Sequence, residues 1–273
     1  MNKKYRKIIE ERYPWLLKGD YCLTLSDDVD SLVSCAILHK VFGYPIHYFY
    51  DFNGLYCNGL PFLCPEPIGV DLTLVRGKTI CNHVSRISDM DSYNPEAANL
   101  NLIDGITAQN FTRKYAGSTA IFLFSLLRDQ FKIKENDLFW AILLCIDSYF
   151  KGYKPEFRDR QQYYLCSALE MPEVFELQKK YSLSDFEKVQ NKLKMKGKIR
   201  IENGQLNIYK DHFRQLLDHI GLELHKIEND FYQIEQYEKV IVPYKNVPTI
   251  EKSNLSTFAC TYAVSGIGTK YIN

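Results

Sequence analysis

Hydrophobic and polar positions change period along the chain, and each change predicts an element. Tyr5, Ile8, Ile9 and Tyr13 fall at helical spacing within residues 3–18, and Gly19-Asp20 breaks that amphipathic helix. Residues 21–25 form a short apolar strand that runs straight into Ser26-Asp27-Asp28. Residues 31–42 read as a helix with Leu32, Cys35, Ala36, Leu38, His39 and Phe42 on one face and Gly43 as its stop. Further strands are expected at 46–50, 68–72 and 79–82, and apolar helices at 118–131 and 136–145. Residues 51–67 and 85–112 show little periodicity and read as loops. Strands alternating with helices at this spacing predict an α/β fold, a doubly wound and mostly parallel sheet.

The character changes after about residue 152. Helical patterns follow at 156–169, 172–181 and 184–194, the last with Ser184 as N-cap and Glu187 three residues on. Asn203-Gly204 between Ile199–Glu202 and Gln205–Tyr209 is a hairpin signal. A helix near 211–220 and strands near 231–243 and 257–272 complete the pattern. The expected organisation is a site-bearing domain over 1–155, a helical connection over 156–184, and a smaller mixed α/β C-terminal part over 185–273.

Composition narrows the partners. A net charge of +1 gives no global attraction to nucleic acid or to an anionic membrane. No apolar run is long enough to span a bilayer, and Glu10-Glu11-Arg12 stand where a signal peptide needs apolar residues. A cytoplasmic protein with no membrane partner is expected. The eight cysteines are scattered, several inside apolar runs, as buried reduced thiols would be. Cys57, Cys64, Cys81 and His83 could be drawn as a zinc set, but their spacing matches no standard knuckle.

Candidate chemistry begins where strand passes to helix at Leu25-Ser26-Asp27-Asp28-Val29-Asp30. In a parallel sheet this puts Asp28 and Asp30 at the carboxyl end of a strand, where open α/β sheets bind ligands. Neighbouring carboxylates repel, and a metal ion offsets that cost. The plainer alternative is that they cap the following helix. Asp71 lies inside the apolar run Ile68–Leu72, and Asp147 ends the apolar run Ala141–Ile146. An apolar run followed by aspartate in three places is better explained by convergence on one site than by three separate caps.

These segments resemble the DHH phosphoesterases. Asp28-Val29-Asp30-Ser31-Leu32 is similar to the first motif of the RecJ-type members, and Asp71 to the lone aspartate of the second. Ile80-Cys81-Asn82-His83 stands where the family places its Asp-His-His signature. Gly117-Ser118-Thr119-Ala120 resembles the segment that opens the next helix, and Ile146-Asp147-Ser148-Tyr149-Phe150 the fourth motif. The order and spacing agree over roughly residues 20–152. The chain departs at Thr24 and Ser26, where family members carry a histidine or an aspartate. It departs again in the third motif, where Asn82 and Val84 replace an aspartate and a histidine.

The resemblance implies metal-assisted hydrolysis of a phosphodiester or phosphoanhydride in a nucleotide or short single-stranded nucleic acid. It implies one or two Mn²⁺ or Mg²⁺ ions held by Asp28, Asp30, Asp71, His83 and Asp147, with Asp71 bridging and His83 binding metal or polarising the phosphate. Asn82 would meet substrate. Ser265-Gly266-Ile267-Gly268-Thr269-Lys270 could cradle a phosphate or be an ordinary strand and turn. Lys192, Lys194, Lys196, Lys198 and Arg200 form a basic run, either a solvated face or a patch for single-stranded nucleic acid. The rival implication is a descendant without catalysis that binds a nucleotide or a protein. Removing Asp30 is expected to relieve repulsion and leave stability unchanged or slightly higher.

Overall fold

The computed structural model describes residues 1–130, 132–227, 229–243, 252–261 and 265–272. Helix α1 (Lys3–Arg12) starts at Asn2, whose side chain accepts from the Tyr5 amide. It stops short of residue 18 because Pro14 lacks an amide hydrogen and opens a single tighter turn instead. Strand β1 (Tyr21–Ser26) is buried from Cys22 onward. Helix α2 (Val29–Phe42) follows, capped by Asp28 and closed by Gly43 at φ 75°, a left-handed conformation that favours glycine. Then come strands β2 (Ile46–Tyr50), β3 (Gly54–Cys57), β4 (Glu66–Val70), β5 (Thr79–Ile80) and β6 (Ala97–Ala98). Helices α3 (Leu100–Ile103), α4 (Thr119–Leu127) and α5 (Asp137–Cys145) follow. The end expected for α4 at Phe131 lies outside the described residues.

The fold is α/β. Among the described residues nine strands form one sheet, and β2, β1, β4, β5 and β6 lie side by side in parallel. β1 pairs with β2 on one side and β4 on the other, so the chain leaves it in one direction through α2 and returns on the opposite flank. That reversal opens a crevice at the carboxyl ends of β1 and β4, the usual ligand position in such sheets. Leu23 and Leu25 join the main core with α2, α4 and α5, while Cys22 faces Tyr48 and Cys57 on the other side.

Strand β3 falls in a segment expected to be irregular. Four residues carry too little alternation to announce a strand; the turn before it makes one. Asp51 Oδ1 accepts from the amides of Asn53 and Gly54 and folds β3 back antiparallel onto β2.

Helix α6 (Arg158–Gln162) passes into a wider π-type winding over Tyr163–Ala168, and α7 (Pro172–Lys180) follows. Helix α8 (Leu183–Lys192) is capped by Ser182, with Asp185 completing a capping box, rather than by Ser184 and Glu187. The hairpin of β7 (Ile201–Glu202) and β8 (Gln205–Leu206) turns at Asn203 and Gly204, φ 51° and 81°, as expected for this dipeptide. Helix α9 (Asp211–His219) and strands β9 (Tyr232–Pro243), β10 (Thr257–Cys260) and β11 (Ser265–Tyr271) complete the chain. Residues 262–264 of the last expected strand lie outside the described residues.

The C-terminal strands extend the first sheet: β9 hydrogen-bonds to β3, β11 to β9, and β10 to β11. The sheet then curls back on itself. Thr73 O accepts from the Phe258 amide at 3.0 Å, and Val84 O from the Cys260 amide at 2.7 Å. Strand β10 therefore packs against the segments that leave β4 and β5. Among the described residues no helix is long and apolar enough to cross a membrane.

The glycines of β11 serve this close packing. A Cβ on Gly266 would stand 2.4 Å from the buried Phe258 ring. Gly266→Ala is expected to lower stability by about 1–3 kcal/mol, read from urea unfolding midpoints. An unchanged midpoint would mean β10 and β11 can separate freely.

Candidate metal centre

The site grows from three adjacent strand ends. At the end of β1, Ser31 Oγ accepts from the Ser26 amide at 2.8 Å and donates to Val70 O at 2.7 Å. The first turn of α2 thus ties the ends of β1 and β4 together. Asp28 Oδ1 caps α2 by accepting from the Ser31 amide at 3.1 Å. At the end of β4, Asp71 turns out of the strand at φ 56°, and its Oδ1 accepts from Thr119 Oγ1 at 2.8 Å. Beyond β5, Asn82 Nδ2 donates to Gly117 O at 2.6 Å and to Asp147 Oδ2 at 3.2 Å. His83 Nδ1 is buried without a hydrogen-bond partner and stands 3.8 Å from Asp71 Oδ1, although the ring is part-exposed.

Asp147 arrives from a helix end rather than a strand end. Asp147 and Ser148 both adopt left-handed backbone, φ 52° and 56°, which bends the chain sharply after α5. Gln190 of α8 holds that bend by donating to Cys145 O at 2.7 Å and Ser148 Oγ at 2.9 Å.

Asp30 has a second task. Its Oδ2 accepts from the Thr119 amide at 2.7 Å and its Oδ1 from the Ala120 amide at 2.8 Å. It is 1% exposed and caps α4 from a distance, satisfying amides that no residue of α4 itself can reach. This corrects the expectation that removing Asp30 leaves stability unchanged or higher. Two buried amides would lose their acceptor, so Asp30→Ala is expected to cost about 2 kcal/mol or more. Chemical denaturation measures it, and a gain in stability would show that repulsion outweighs the cap.

The aspartates stand near enough for their charges to act on one another. Burial, then the charge of Asp147, push Asp28 up to about 6. Burial holds Asp30 well above the carboxylate range, with Asp147 and then Asp28 adding to it. Burial likewise raises Asp71, reinforced by Asp30, Asp28 and Asp147. Burial lowers His83, against the opposing charge of Asp147. Two cations are felt at the rim. Lys114, lowered by burial, faces Asp147, and Lys198 pairs with Asp27 at 2.8 Å and lowers Asp28.

Hydrogen bonds reach one oxygen each of Asp28, Asp71 and Asp147. Among the described residues Oδ2 of Asp28, Oδ2 of Asp71 and Oδ1 of Asp147 receive none, so each carboxylate is oriented by one oxygen and free at the other. Oxygen donors of this kind, with one imidazole, suit a hard divalent cation. Among the described residues no three His, Cys, Asp or Glu side chains stand close enough to hold an ion as they are. The alternative zinc set is not gathered: Cys57 packs with Cys22 and Tyr48, while the Cys81 thiol accepts from Asn99.

Two parts of the expected site are placed otherwise or were missed. Of the two readings of residues 265–270, phosphate cradle or ordinary strand and turn, the structure shows the strand. These residues form β11, where Thr269 is buried against Tyr50 and Thr257, and Lys270 pairs with Glu238 at 2.6 Å. Their glycines let β10 approach, and a Cβ on Gly268 would meet Thr257 O at 2.7 Å. The segment read as a loop supplies hidden support. Asn101 Nδ2 donates to Asn82 O and Asn99 Nδ2 to His83 O, both at 2.6 Å. A cavity of about 550 Å³ opens beside Asp147 and Lys114, which no local motif announces.

Comparison with family models, with curated proteins and with solved structures finds no match.

The raised carboxylates set a pH dependence. A carboxyl held above its ordinary range binds its proton more tightly when folded, so its contribution to stability falls as pH rises past the ordinary range and on through the folded value. For Asp28 that window runs from its ordinary value of 3.8 to about 6, and Asp71 extends it upward. In chelator, the wild type should lose stability as pH rises from about 4, while Asp71→Asn shows a flatter profile. Parallel urea-midpoint curves for the two would remove this coupling.

Proposed function

We propose that the chain is a divalent-metal-dependent phosphoesterase of the DHH type, acting in the cytoplasm on a phosphodiester or phosphoanhydride of a nucleotide or short single-stranded nucleic acid. The observation that carries this is the grouping of Asp28, Asp71, Asp147 and His83 beside the carboxyl ends of β1, β4 and β5, near enough for their charges to act on one another though not at ligand distance, each with a donor atom left free. The ordered resemblance over residues 20–152 supports it, and eight scattered, mostly buried cysteines suit a reducing compartment.

Asp28, Asp71, Asp147 and His83 would hold Mn²⁺ or Mg²⁺, one ion or two, with Asp71 central. Bound there, the ion would supply charge neutralisation for the phosphate and acidify a water molecule. The chain does the positioning. Thr119 fixes the Asp71 carboxylate, Asn82 fixes Asp147, and Asn101 and Asn99 hold the backbone of Asn82 and His83. Asp30 keeps the N-terminus of α4 seated against the cluster. Lys114 offers positive charge on the side where Asp147 is exposed. The basic run at 192–200 reaches the site through Lys198, which sits on Asp27.

A second reading is a binder of nucleotide or protein without catalysis. Asn82 and Val84 favour it, as does the commitment of both Asp30 oxygens to α4. Melting with and without Mn²⁺ separates the two, because an ion bound only by the folded protein raises the midpoint. The wild type should shift upward and hydrolyse a short oligonucleotide or generic phosphodiester. Asp147→Asn keeps a residue that tolerates left-handed backbone and should lose the shift and at least about a hundredfold in rate. No Mn²⁺ shift and no hydrolysis in the wild type would hand the site to the second reading.

A further inference from the structure

We propose that the cavity beside Asp147 binds one nucleotide unit, with its phosphate on Lys114, Lys151, Lys154 and Arg160 and its base against Phe157 and Phe111. The placement of the reacting phosphate next to Asp147 rests on the phosphoesterase reading; the ligand class rests on the cavity alone.

The cavity holds about 550 Å³, within the usual range for small-molecule sites of about 300–1,000 Å³. Its wall carries those four cations and a single carboxylate, Asp147. Among the described residues, none of the four takes part in an ion pair. Elsewhere in the protein, lysines and arginines pair repeatedly with carboxylates, as Arg128 does with Glu135 and Glu173. Four like charges around one concavity repel one another, and a phosphate relieves that repulsion through charge-assisted hydrogen bonds.

The apolar side of the wall defines the rest of the ligand. Phe157 is 49% exposed at the cavity, and Phe111 lies in the wall beneath Lys114, whose Nζ is 4.7 Å from its ring centroid. An exposed aromatic beside unpaired cations is the arrangement that stacks a base and holds its phosphate. A cavity of this size takes one such unit, so a longer strand would enter by its end. Lys114 and Asp147 belong to both the cavity wall and the carboxylate cluster, so a phosphate held by Lys114 abuts the proposed metal centre. This puts substrate against residues 111–116 and 147–160.

Calorimetric titration of the full chain in chelator, with adenosine monophosphate, adenosine and inorganic phosphate as probes, tests the assignment without metal. Adenosine monophosphate should bind more tightly than either fragment. The double variant Lys154→Ala/Arg160→Ala should weaken it about tenfold with an unchanged melting midpoint. Phe157→Ala should weaken the two adenine-bearing probes and leave phosphate alone. The Mn²⁺-induced melting shift, measured in parallel, keeps the two readings apart. Nucleotide binding without that shift upholds this proposal and sinks the metal centre; the shift without nucleotide binding, or binding that all variants retain, overturns this proposal.

Discussion

Asp30 joins two requirements that pull against each other. Its carboxylate is almost fully buried and hemmed by like charges, yet it is the acceptor for the first amides of α4. The helix N-terminus carries partial positive charge, so the anion is stabilised there even as Asp28 and Asp147 disfavour it. Through this contact the first turn of α2 grips the start of α4, and Thr119 at that start holds Asp71. Ser31 binds the same turn to the ends of β1 and β4. The carboxylate cluster and the packing of the helical layer are therefore one structure.

Such a cluster is costly without positive charge inside it. Lys114 and Lys198 stand at the edge, and the interior offers amides, hydroxyls and an imidazole in place of cations. Protons answer part of that deficit, which is why burial and mutual repulsion raise Asp28, Asp30 and Asp71 together. A divalent ion would answer it more completely and would displace those protons. The same geometry explains why each ligand candidate is pinned at one oxygen: an oriented carboxylate loses less freedom when it closes on an ion.

The rim divides the surface by charge. Acidic groups collect at the strand ends, and unpaired cations line the cavity that adjoins them. On the function proposed above, a phosphate would satisfy both, with its charge shared between lysines on one side and a metal ion on the other. The curled sheet backs one wall of the cavity, since Phe111 packs with Phe258 and Cys260 of β10, which bonds to Thr73 and Val84.

Local pattern determined much of this by itself. The apolar strands at β1, β2, β4 and β5, helix α2 with its Gly43 stop, and the Asn203-Gly204 turn all follow from side-chain period and backbone allowance, which act over a few residues. The repeated aspartates after apolar runs likewise pointed to Asp28, Asp71 and Asp147 as neighbours, because charge at the end of a buried run needs a shared reason. Tertiary structure alone decided the rest. The capping of α4 by Asp30 spans 89 residues between donor and acceptor, and no window of local sequence contains it. Gly266 and Gly268 fitted a phosphate loop or a strand, since glycine near a hydroxyl and a lysine is the same string whether it meets a ligand or a neighbouring strand. Lys114, Lys151, Lys154 and Arg160 are ordinary surface residues until the left-handed bend at Asp147 and Ser148 turns their segments toward one another. Short-range physics writes the elements into the chain; which charges share a cavity depends on contacts between elements far apart along it.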